Sequence, residues 1–542
     1  MGVGGGDWRD GFEDYRQWVR SWFHKKFDTP RWFRDAFVAN YNKYIPQPPP
    51  AGNQPPPDGF TDSSESRYGF VDASESRYVF SERMGPAEIG TMTEWFAWWE
   101  YPREYVSPGG GDYQTTEYRE GDLFYNVRRG GLPAFREEIK RLHDKGARLQ
   151  LYALAIGLSD ASEIGKKHGA EWGRKMKNGQ YSTDWVEPGK GYNACLYVKG
   201  WREHFSTRLA EVLRETGADS CRLDVAAAFY QCFNPDHPHY DGSVLSSVSP
   251  PDMAEFLGLC SRRAREANPE AAVMTEHCGT EHAAQFYDGY LTQQFRFNEP
   301  FNAPLRAMSG HELVFLRFLL PEVKVDIFEL DPNDGGRRSL FNAVGQDRGS
   351  AKDEALESLR RTQAVLAENG DAVWGGQPQP LVPTLREGLF ANAFPGERKR
   401  IWTLWNRTDK PIEGELFSIA AGKGVHYVEL LHDVPLAASV KGGRTVISGN
   451  VAPNEVVCVA ELPKRLNVRR DESVLRVEVR QVGGNHRLDL VSGRDEAKNT
   501  SRVALSKGKA QVKWPDAEKV VLKLFSDGYL LDQVVVSASN EK

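Results

Sequence analysis

The hydrophobic positions of residues 7–24 recur at spacings of three and four, which is the pattern of an amphipathic helix. Residues 36–45 instead alternate and are rich in aromatic and β-branched side chains, as in a strand. A proline-rich stretch and a short duplication follow, and neither can form a core. We therefore expect an N-terminal helix within residues 1–30 and a surface insertion near 46–88.

From residue 89 onward, short apolar strand patterns alternate with helical patterns of 14 to 20 residues. This alternation predicts parallel βαβ units and a sheet that is buried on both faces. Strands are predicted near residues 37, 91, 148, 220, 272, 287, 323 and 371. Eight such strands predict a (β/α)8 TIM barrel over residues 31–377.

Beyond residue 377 the helical period disappears and the hydrophobic positions alternate at every second residue, with turn residues between the runs. This pattern predicts an antiparallel β-sandwich over 378–462 and a second small β domain over 463–542. The predicted fold class is therefore α/β, a TIM barrel followed by C-terminal antiparallel β-sandwich domains.

Charge and cysteine content limit the classes of partner that the chain is expected to bind. The 69 basic and 75 acidic side chains nearly cancel, and without a basic arm or face the chain is not expected to bind nucleic acid. The six cysteines form no CxxC pair, and no apolar stretch is long enough to predict a membrane partner. The N-terminal residues do not resemble a signal peptide, so secretion is expected only if a longer precursor carries one. The oligomeric state stays open.

The strand SCRLDVAAAF carries two opposite charges, Arg222 and Asp224, on one face. The next predicted strand ends with Glu276 in VMTEHCG, and the carboxyl ends of barrel strands converge on one open face. Two carboxyl groups across a sugar are the minimum equipment for glycosidic cleavage, and Arg222 would hold Asp224 ionised. The alternatives are a buried ion pair without a catalytic task and a capping or core-rim role for Glu276.

These residues resemble the motifs of the α-amylase family, glycoside hydrolase family 13, and GGLPAFREEIKRLHDKGARLQLY resembles a region shared with α-galactosidase and α-glucosidase families. The resemblance implies that Asp224 is the nucleophile, that Glu276 is the general acid/base, and that Arg222 orients the nucleophile. The Asn-His-Asp motif of the amylase family at the seventh strand is absent. Loose substitutes for its acid are Asp326, Glu329 and Asp331.

Further side chains at predicted strand ends or loops are candidates for binding sugar hydroxyls or stacking on a sugar ring, with ordinary packing as the alternative. They are Trp95, Trp98, Tyr152, Asp184, Trp185, Asn193, His277 and Asp288. The segment HCGTEH invites a metal site through His277, Cys278 and His282, but further ligands at zinc-like spacing are lacking. We expect no metal and no cofactor.

The predicted function is a glycoside hydrolase that cleaves a glycosidic bond with retention of configuration and acts on a carbohydrate substrate. The alternatives are an inverting glycosidase or a transglycosidase on the same barrel, and a non-catalytic carbohydrate-binding protein. An acyl hydrolase is disfavoured because the chain has no G-x-S-x-G motif.

Overall fold

The computed structural model describes most of the chain. The described residues are 7–44, 92–96, 98, 121–125, 131–160, 162–183, 191–227, 231–239, 250–292, 313–327, 334–348, 353–471, 473–480, 485–493, 499–515 and 517–538.

Most of the helices in these ranges lie in the first two thirds of the chain. They are α1 (Trp8–Arg20), α2 (Arg31–Asp35), α3 (Gly131–Asp144), α4 (Glu163–Trp172), α5 (Lys199–Thr216), α6 (Pro250–Ala267), α7 (Phe315–Leu319), α8 (Arg337–Asn342), α9 (Asp353–Glu368) and α10 (Gly370–Val373), with a 3₁₀ turn at Ala283–Gln285. None of the helices within the described ranges is long and apolar enough to span a membrane.

The strands fall into a first group that alternates with helices and a second group that does not. The first group is β1 (Val38–Tyr44), β2 (Met92–Phe96), β3 (Arg148–Leu154), β4 (Gly157–Ser159), β5 (Gly191–Asn193), β6 (Ser220–Asp224), β7 (Ala272–Glu276), β8 (Gly289–Thr292), β9 (Lys324–Ile327) and β10 (Gly345–Asp347). The second group is β11 (Leu389–Pro395), β12 (Arg400–Asn406), β13 (Ile412–Ala420), β14 (Val425–Glu429), β15 (Val434–Pro435), β16 (Ala437–Lys441), β17 (Arg444–Val451), β18 (Val456–Pro463), β19 (Leu466–Asp471), β20 (Val474–Val479), β21 (His486–Ser492), β22 (Asn499–Val503), β23 (Lys509–Lys513), β24 (Lys519–Ser526) and β25 (Tyr529–Ser537).

Eight parallel strands close into a barrel in the order β1-β10-β9-β8-β7-β6-β3-β2, which confirms the predicted TIM barrel. Seven of its strands lie where the sequence predicted them. The eighth prediction, near residue 371, is wrong: that segment is the helix α10, and the eighth strand is β10. Because β10 has only three residues, none of them β-branched, it does not stand out as a strand in the sequence.

The helices α3 and α5 end at the glycines that the sequence indicated. Gly217 takes a left-handed conformation with φ of 79° and donates its backbone N–H to the carbonyl of Leu213 at 2.9 Å. Gly146 follows α3 with φ of 78°. A left-handed residue after the last turn satisfies a free carbonyl at low cost when it is glycine, so these positions set where each helix stops.

The chain divides into two compact units. The first comprises Met1–Phe297, Glu322–Leu330 and Gly345–Ser350 and contains all eight barrel strands. The second comprises Asn298–Pro321, Asp331–Val344 and Ala351–Lys542.

The second unit contains antiparallel sheets in two groups. A five-stranded sheet (β11-β12-β18-β14-β15) and a three-stranded sheet (β13-β17-β16) share a core that includes Trp402, Phe417 and Ile447. The sheets β19-β20-β23 and β22-β21-β24-β25 share a separate core around Leu475 and Leu522. These pairs of sheets confirm the predicted C-terminal β-sandwich architecture.

Candidate active site

The register of the barrel strands brings the predicted acids to one level. On β6, Arg222 is aligned with Tyr152 of β3 on one side and with Met274 of β7 on the other. Asp224 and Glu276 each follow two residues later on their strands, so both point to the same side of the sheet as the residues of that aligned row. The two acids therefore stand at the carboxyl ends of neighbouring strands, where TIM-barrel enzymes carry their active sites.

The two opposite charges on β6 belong to a buried polar network. Arg222 Nε donates to Glu94 Oε2 at 2.7 Å, and Arg222 Nη2 donates to Glu94 Oε1 at 3.0 Å. Arg222 Nη1 donates to Asp224 Oδ1, and the guanidinium lies 4.8 Å from the centre of the Tyr152 ring. One arginine thus pairs with two buried carboxyl groups and offsets part of the cost of burying their charge.

Burial decreases towards the end of the strands. Glu94 and Arg222 are 1% and 2% exposed, whereas Asp224 and Glu276 are 9% and 8% exposed. Asp224 Oδ2 also accepts a hydrogen bond from the Tyr152 hydroxyl at 2.8 Å. The ion pair between Arg222 and Glu94 is thus sealed, while the two acids retain partial access to solvent.

Burial and the proximity of Glu276 change how Asp224 titrates. Burial, followed by the charge of Glu276 and a hydrogen bond with it, raises the pKa of Asp224 to about 7. Arg222 and the Tyr152 hydroxyl act in the opposite direction because both favour the ionised form. Asp224 therefore holds a proton in the acid range and releases it near neutral pH.

The backbone turns sharply after each acid. Val225, which follows Asp224, has φ of 50°, and His277, which follows Glu276, has φ of 64°. A left-handed conformation is unfavourable for a β-branched residue such as valine and is typical of functional sites, where the surrounding structure imposes it. The backbone N–H of His277 donates to the carbonyl of Leu291 on β8 at 2.9 Å, which fixes the second turn against the barrel.

Glu94 was not among the sequence candidates. The polar network continues from Glu94 further into the barrel. Gln150 Nε2 donates to Glu94 Oε2 at 2.8 Å, and Ser220 Oγ donates to Gln150 Oε1 at 3.0 Å. The available sequence feature was an acid in the middle of the apolar strand MTEWF. Since a barrel strand is buried on both faces, that feature alone did not indicate which face Glu94 occupies.

Tyr152 and His277 are the two additional candidates that lie next to the acids. Tyr152 contacts Asp224, as described above, and His277 is an exposed residue of the turn after Glu276. The candidates Asp184 and Trp185 lie outside the described residues.

The interpretation of Trp95 and Trp98 as sugar-stacking residues is wrong, because both side chains are fully buried. The Trp95 ring lies 5.1 Å from Phe135 of α3, so it packs between the barrel and a helix. The Trp98 ring stacks on Phe135 at 5.7 Å and donates its Nε1–H to the carbonyl of Tyr152 at 2.8 Å. Both rings support the wall that carries Tyr152 and are closed to a ligand.

Asp288 and Asn193 also hold structural positions. Asp288 precedes β8 and therefore lies at the amino end of that strand, opposite to the expected mouth, where both its oxygens accept from Arg265 at 2.7 and 2.8 Å. Asn193 is fully buried on β5 and donates from Nδ2 to Ser182 Oγ at 3.1 Å. These two predictions as sugar-binding residues are corrected accordingly.

The acid on the seventh strand is committed to an ion pair. Asp326 of β9 is fully buried and accepts from Lys324 Nζ on the same strand. Gly345 of β10 faces it, since a Cβ at position 345 would lie 1.8 Å from Asp326 Oδ1. Asp326 is thus enclosed by protein, while the other two substitutes, Glu329 and Asp331, lie outside the described residues.

The segment HCGTEH does not assemble a metal site. His277 is exposed, and His282 Nδ1 lies 3.2 Å from Gln285 Nε2. Cys278 Sγ accepts from the Tyr287 hydroxyl at 3.4 Å. In the described ranges, the group of metal-binding side chains that does come together lies elsewhere and does not include these residues.

Comparison with solved structures identifies the fold. The γ-CGTase of alkalophilic Bacillus clarkii superposes with a TM-score of 0.53 at 12% identity, over 93% of this chain and 83% of that one. A debranching enzyme of Nostoc punctiforme gives 0.50 at 13% identity over 80% and 100% of the two chains, and an α-amylase of Lactobacillus plantarum gives 0.50 at 12% over 79% and 99%. The chain has the α-amylase fold. This confirms, at the level of the fold, the resemblance predicted from the motifs around Asp224 and Glu276.

No protein-family model matches the chain, and neither does any curated protein sequence. This chain therefore adopts the α-amylase fold although its sequence has little similarity to those of its structural neighbours.

Proposed function

We propose that the protein is a glycoside hydrolase that cleaves a glycosidic bond by a retaining mechanism, with Asp224 as nucleophile and Glu276 as general acid/base. The observation that carries the proposal is the position of these two carboxyls at the carboxyl ends of neighbouring barrel strands, where burial and the charge of Glu276 raise the pKa of Asp224 to about 7. The α-amylase fold is consistent with this chemistry, but it is the site that argues for the function.

The environment of Asp224 supports its role as the nucleophile. Asp224 accepts hydrogen bonds from Arg222 and from the Tyr152 hydroxyl, and both stabilise a carboxylate. In the first step, Glu276 would protonate the glycosidic oxygen while an Asp224 oxygen attacks the anomeric carbon and the aglycone leaves as an alcohol. In the second step, Glu276 would take a proton from water, which displaces Asp224 and releases the sugar.

The closeness of the two carboxyls favours retention over inversion. An inverting enzyme needs about 6.5–9.5 Å between its carboxyls to hold a water molecule, whereas a retaining enzyme needs about 5–5.5 Å. Glu276 is close enough to Asp224 for its charge to raise the pKa of Asp224, which favours the shorter spacing. Among the described residues, Asp326 is unsuitable as the second carboxyl of an inverting pair because it is enclosed and paired with Lys324.

The proteins with a similar fold suggest which substrates to test first. Because these relatives include a debranching enzyme and an α-amylase, the experiment begins with α-linked glucosides and then extends to other sugars and to β-anomers. Aryl glycosides with a good leaving group reduce the need for acid catalysis, so they report turnover even when the natural aglycone is unknown.

The test is the configuration of the first sugar product. The purified chain is incubated with each aryl glycoside, and proton NMR records which anomer appears before mutarotation. We expect an initial product with the configuration of the substrate. An inverted first product would exclude the double displacement, and tight sugar binding without turnover across the panel would favour the non-catalytic carbohydrate-binding alternative.

A further inference from the structure

Two cysteines and two histidines meet in the interior of the first unit, outside the network around Asp224. They are Cys195, Cys232, His237 and His239, and one ligand atom of each lies within 4.8 Å of those of the others. All four side chains are buried, with exposures between 0% and 7%. Buried thiols and imidazoles are polar groups that need partners, and two of each in one place is an unusual composition for a packed core.

The spacings fit a tetrahedral metal site. Cys232 Sγ lies 3.5 Å from His237 Nε2, and Cys195 Sγ lies 3.9 Å from His239 Nε2. Zinc bonds of about 2.3 Å to sulfur and about 2.0–2.1 Å to nitrogen place a sulfur and a nitrogen about 3.6 Å apart in a tetrahedron. The two distances therefore match the edges of a Cys₂His₂ site before any adjustment of side chains.

The imidazole of His237 is already oriented for coordination. Its Nδ1 lies 2.6 Å from the backbone carbonyl of Glu171, to which it donates, so Nε2 is the nitrogen that faces the thiols. Metal-binding histidines commonly donate their second ring nitrogen to a carbonyl in this way, which fixes the tautomer and the ring plane.

The same region of backbone holds both segments that carry the ligands. Asn234 Nδ2, between Cys232 and His237, donates to the carbonyl of Gly173 at 2.7 Å, just after α4. The backbone N–H of Cys195 donates to the carbonyl of Trp172, the last residue of α4, at 2.8 Å. The end of α4 thus brings the segment after β5 and the segment after β6 together without the help of a metal.

From this geometry we propose that Cys195, Cys232, His237 and His239 bind one Zn²⁺ ion in a structural site. Two thiolates and two imidazoles are the donor set that zinc prefers, and a full set of four protein ligands leaves no open position for a catalytic water. The expectation from the sequence that the chain binds no metal is revised accordingly. The sequence did not reveal the site because Cys195 and Cys232 belong to loops after different barrel strands.

The site has a consequence for the barrel. Three of the ligands lie in the segment that leaves β6 after Asp224, and the fourth lies in the excursion between β3 and β6. A metal bound by all four joins these two excursions at the same face of the barrel as the acids. It acts as a cross-link, so its removal lowers the stability of the folded state.

The first test is the metal content of the full chain. The protein is expressed with zinc in the medium, without a polyhistidine tag, and is purified under reducing conditions without chelator. We expect about one zinc per chain by plasma mass spectrometry. We also expect the thermal midpoint to fall when a strong chelator removes the metal and to recover when Zn²⁺ is added.

The matched variants are Cys232→Ala and Cys278→Ala, which remove a cluster cysteine and a cysteine outside the cluster. Cys232→Ala should lose zinc, whereas Cys278→Ala should keep it. If Cys232→Ala does not fold, Co²⁺ exchanged into the wild-type chain provides the second measurement, because thiolate ligation in a tetrahedral site gives a charge-transfer band and intense visible absorption.

Three outcomes would overturn the proposal. The first is a folded, reduced wild-type chain that contains no zinc and takes up neither Zn²⁺ nor Co²⁺. The second is a metal-free chain in which Cys195 and Cys232 form a disulfide when the protein is isolated without reductant. The third is a folded Cys232→Ala variant that retains as much zinc as Cys278→Ala.

Discussion

Glu94 on β2 accepts two hydrogen bonds from Arg222 on β6, at 2.7 Å from Nε and at 3.0 Å from Nη2. Both partners are almost fully buried, so this bidentate pair fixes the plane of the guanidinium. The third guanidinium nitrogen, Nη1, donates to Asp224. Glu94 is therefore a positioning residue that acts on Asp224 through Arg222.

Glu94→Gln should lower kcat/KM by about 10- to 100-fold, because one charge-assisted hydrogen bond to Arg222 is lost. The variant also removes a negative charge near Asp224. Asp224 should therefore lose its proton more easily, and the rise of activity with pH should occur at a lower pH than in the wild type. A pH profile of kcat/KM measures both effects.

The matched control for this change is Glu138→Gln. Glu138 is an equally buried glutamate that pairs with an arginine, Arg141, on α3. Its removal should affect stability but leave the pH profile in place. If Glu94→Gln lowers activity without moving the profile, Glu94 supports only the fold.

Activity should depend on the protonation state of Asp224. The proposed nucleophile must be ionised to attack, and Asp224 loses its proton as the pH rises through about 7, its raised pKa. We expect kcat/KM to increase with pH up to about that value with the slope of a single ionisation. A profile that stays flat from about pH 5 to about pH 8 would contradict the raised pKa.

The raised pKa of Asp224 should also make the stability of the folded chain depend on pH. The pKa of Asp224 is raised from 3.8 to about 7 in the folded state, so the folded chain binds the proton more tightly than the unfolded chain does. This contribution to stability is complete below pH 3.8 and is lost as the pH rises through about 7.

Asp224→Asn should therefore gain about 1–3 kcal/mol of stability relative to the wild type between pH 5 and pH 8. Glu276→Gln should show the same trend, because removing either carboxyl ends the repulsion. Urea unfolding at the two pH values measures the difference. If the free energy of unfolding changes equally between the two pH values in the wild type and in both variants, this prediction is wrong.

Tyr152→Phe tests the second donor to Asp224. The hydroxyl lies 2.8 Å from Asp224 Oδ2 and favours the ionised carboxyl, so its loss should raise the pKa of Asp224 and lower kcat/KM by about 10-fold. Tyr125→Phe is the control, since Tyr125 also donates to a carboxylate, Glu215 Oε2 at 2.5 Å, away from the acids. Equal effects of the two variants would remove Tyr152 from the site.

Much of the fold could be predicted from the sequence because local patterns encode it. The helix α5 ends at Gly217, and strands such as β3 and β6 are short apolar runs between helices, so their alternation indicates a parallel barrel. The strand β10 could not be found in this way, because three residues carry too little pattern and their place is fixed by pairing with β1 and β9.

The site could be predicted only in part for a related reason. Asp224 and Glu276 each end a predicted strand, and their position follows from the barrel topology. By contrast, Trp95 and Glu94 are neighbours on β2, and the sequence does not indicate which of them faces the interior when both faces are buried. Contacts between distant segments, such as that of Glu94 with Arg222, require the three-dimensional register.

The most direct test of the account is the turnover of Asp224→Asn and Glu276→Gln on the activated aryl glycoside that the wild type cleaves. With folding verified by circular dichroism and urea unfolding, we expect kcat/KM of Asp224→Asn to fall by about 10³-fold or more. Glu276→Gln should lose less on this substrate, because an activated leaving group needs little protonation, and more on an alkyl glycoside. Two folded variants with wild-type rates would contradict the assignment of these residues as the catalytic pair.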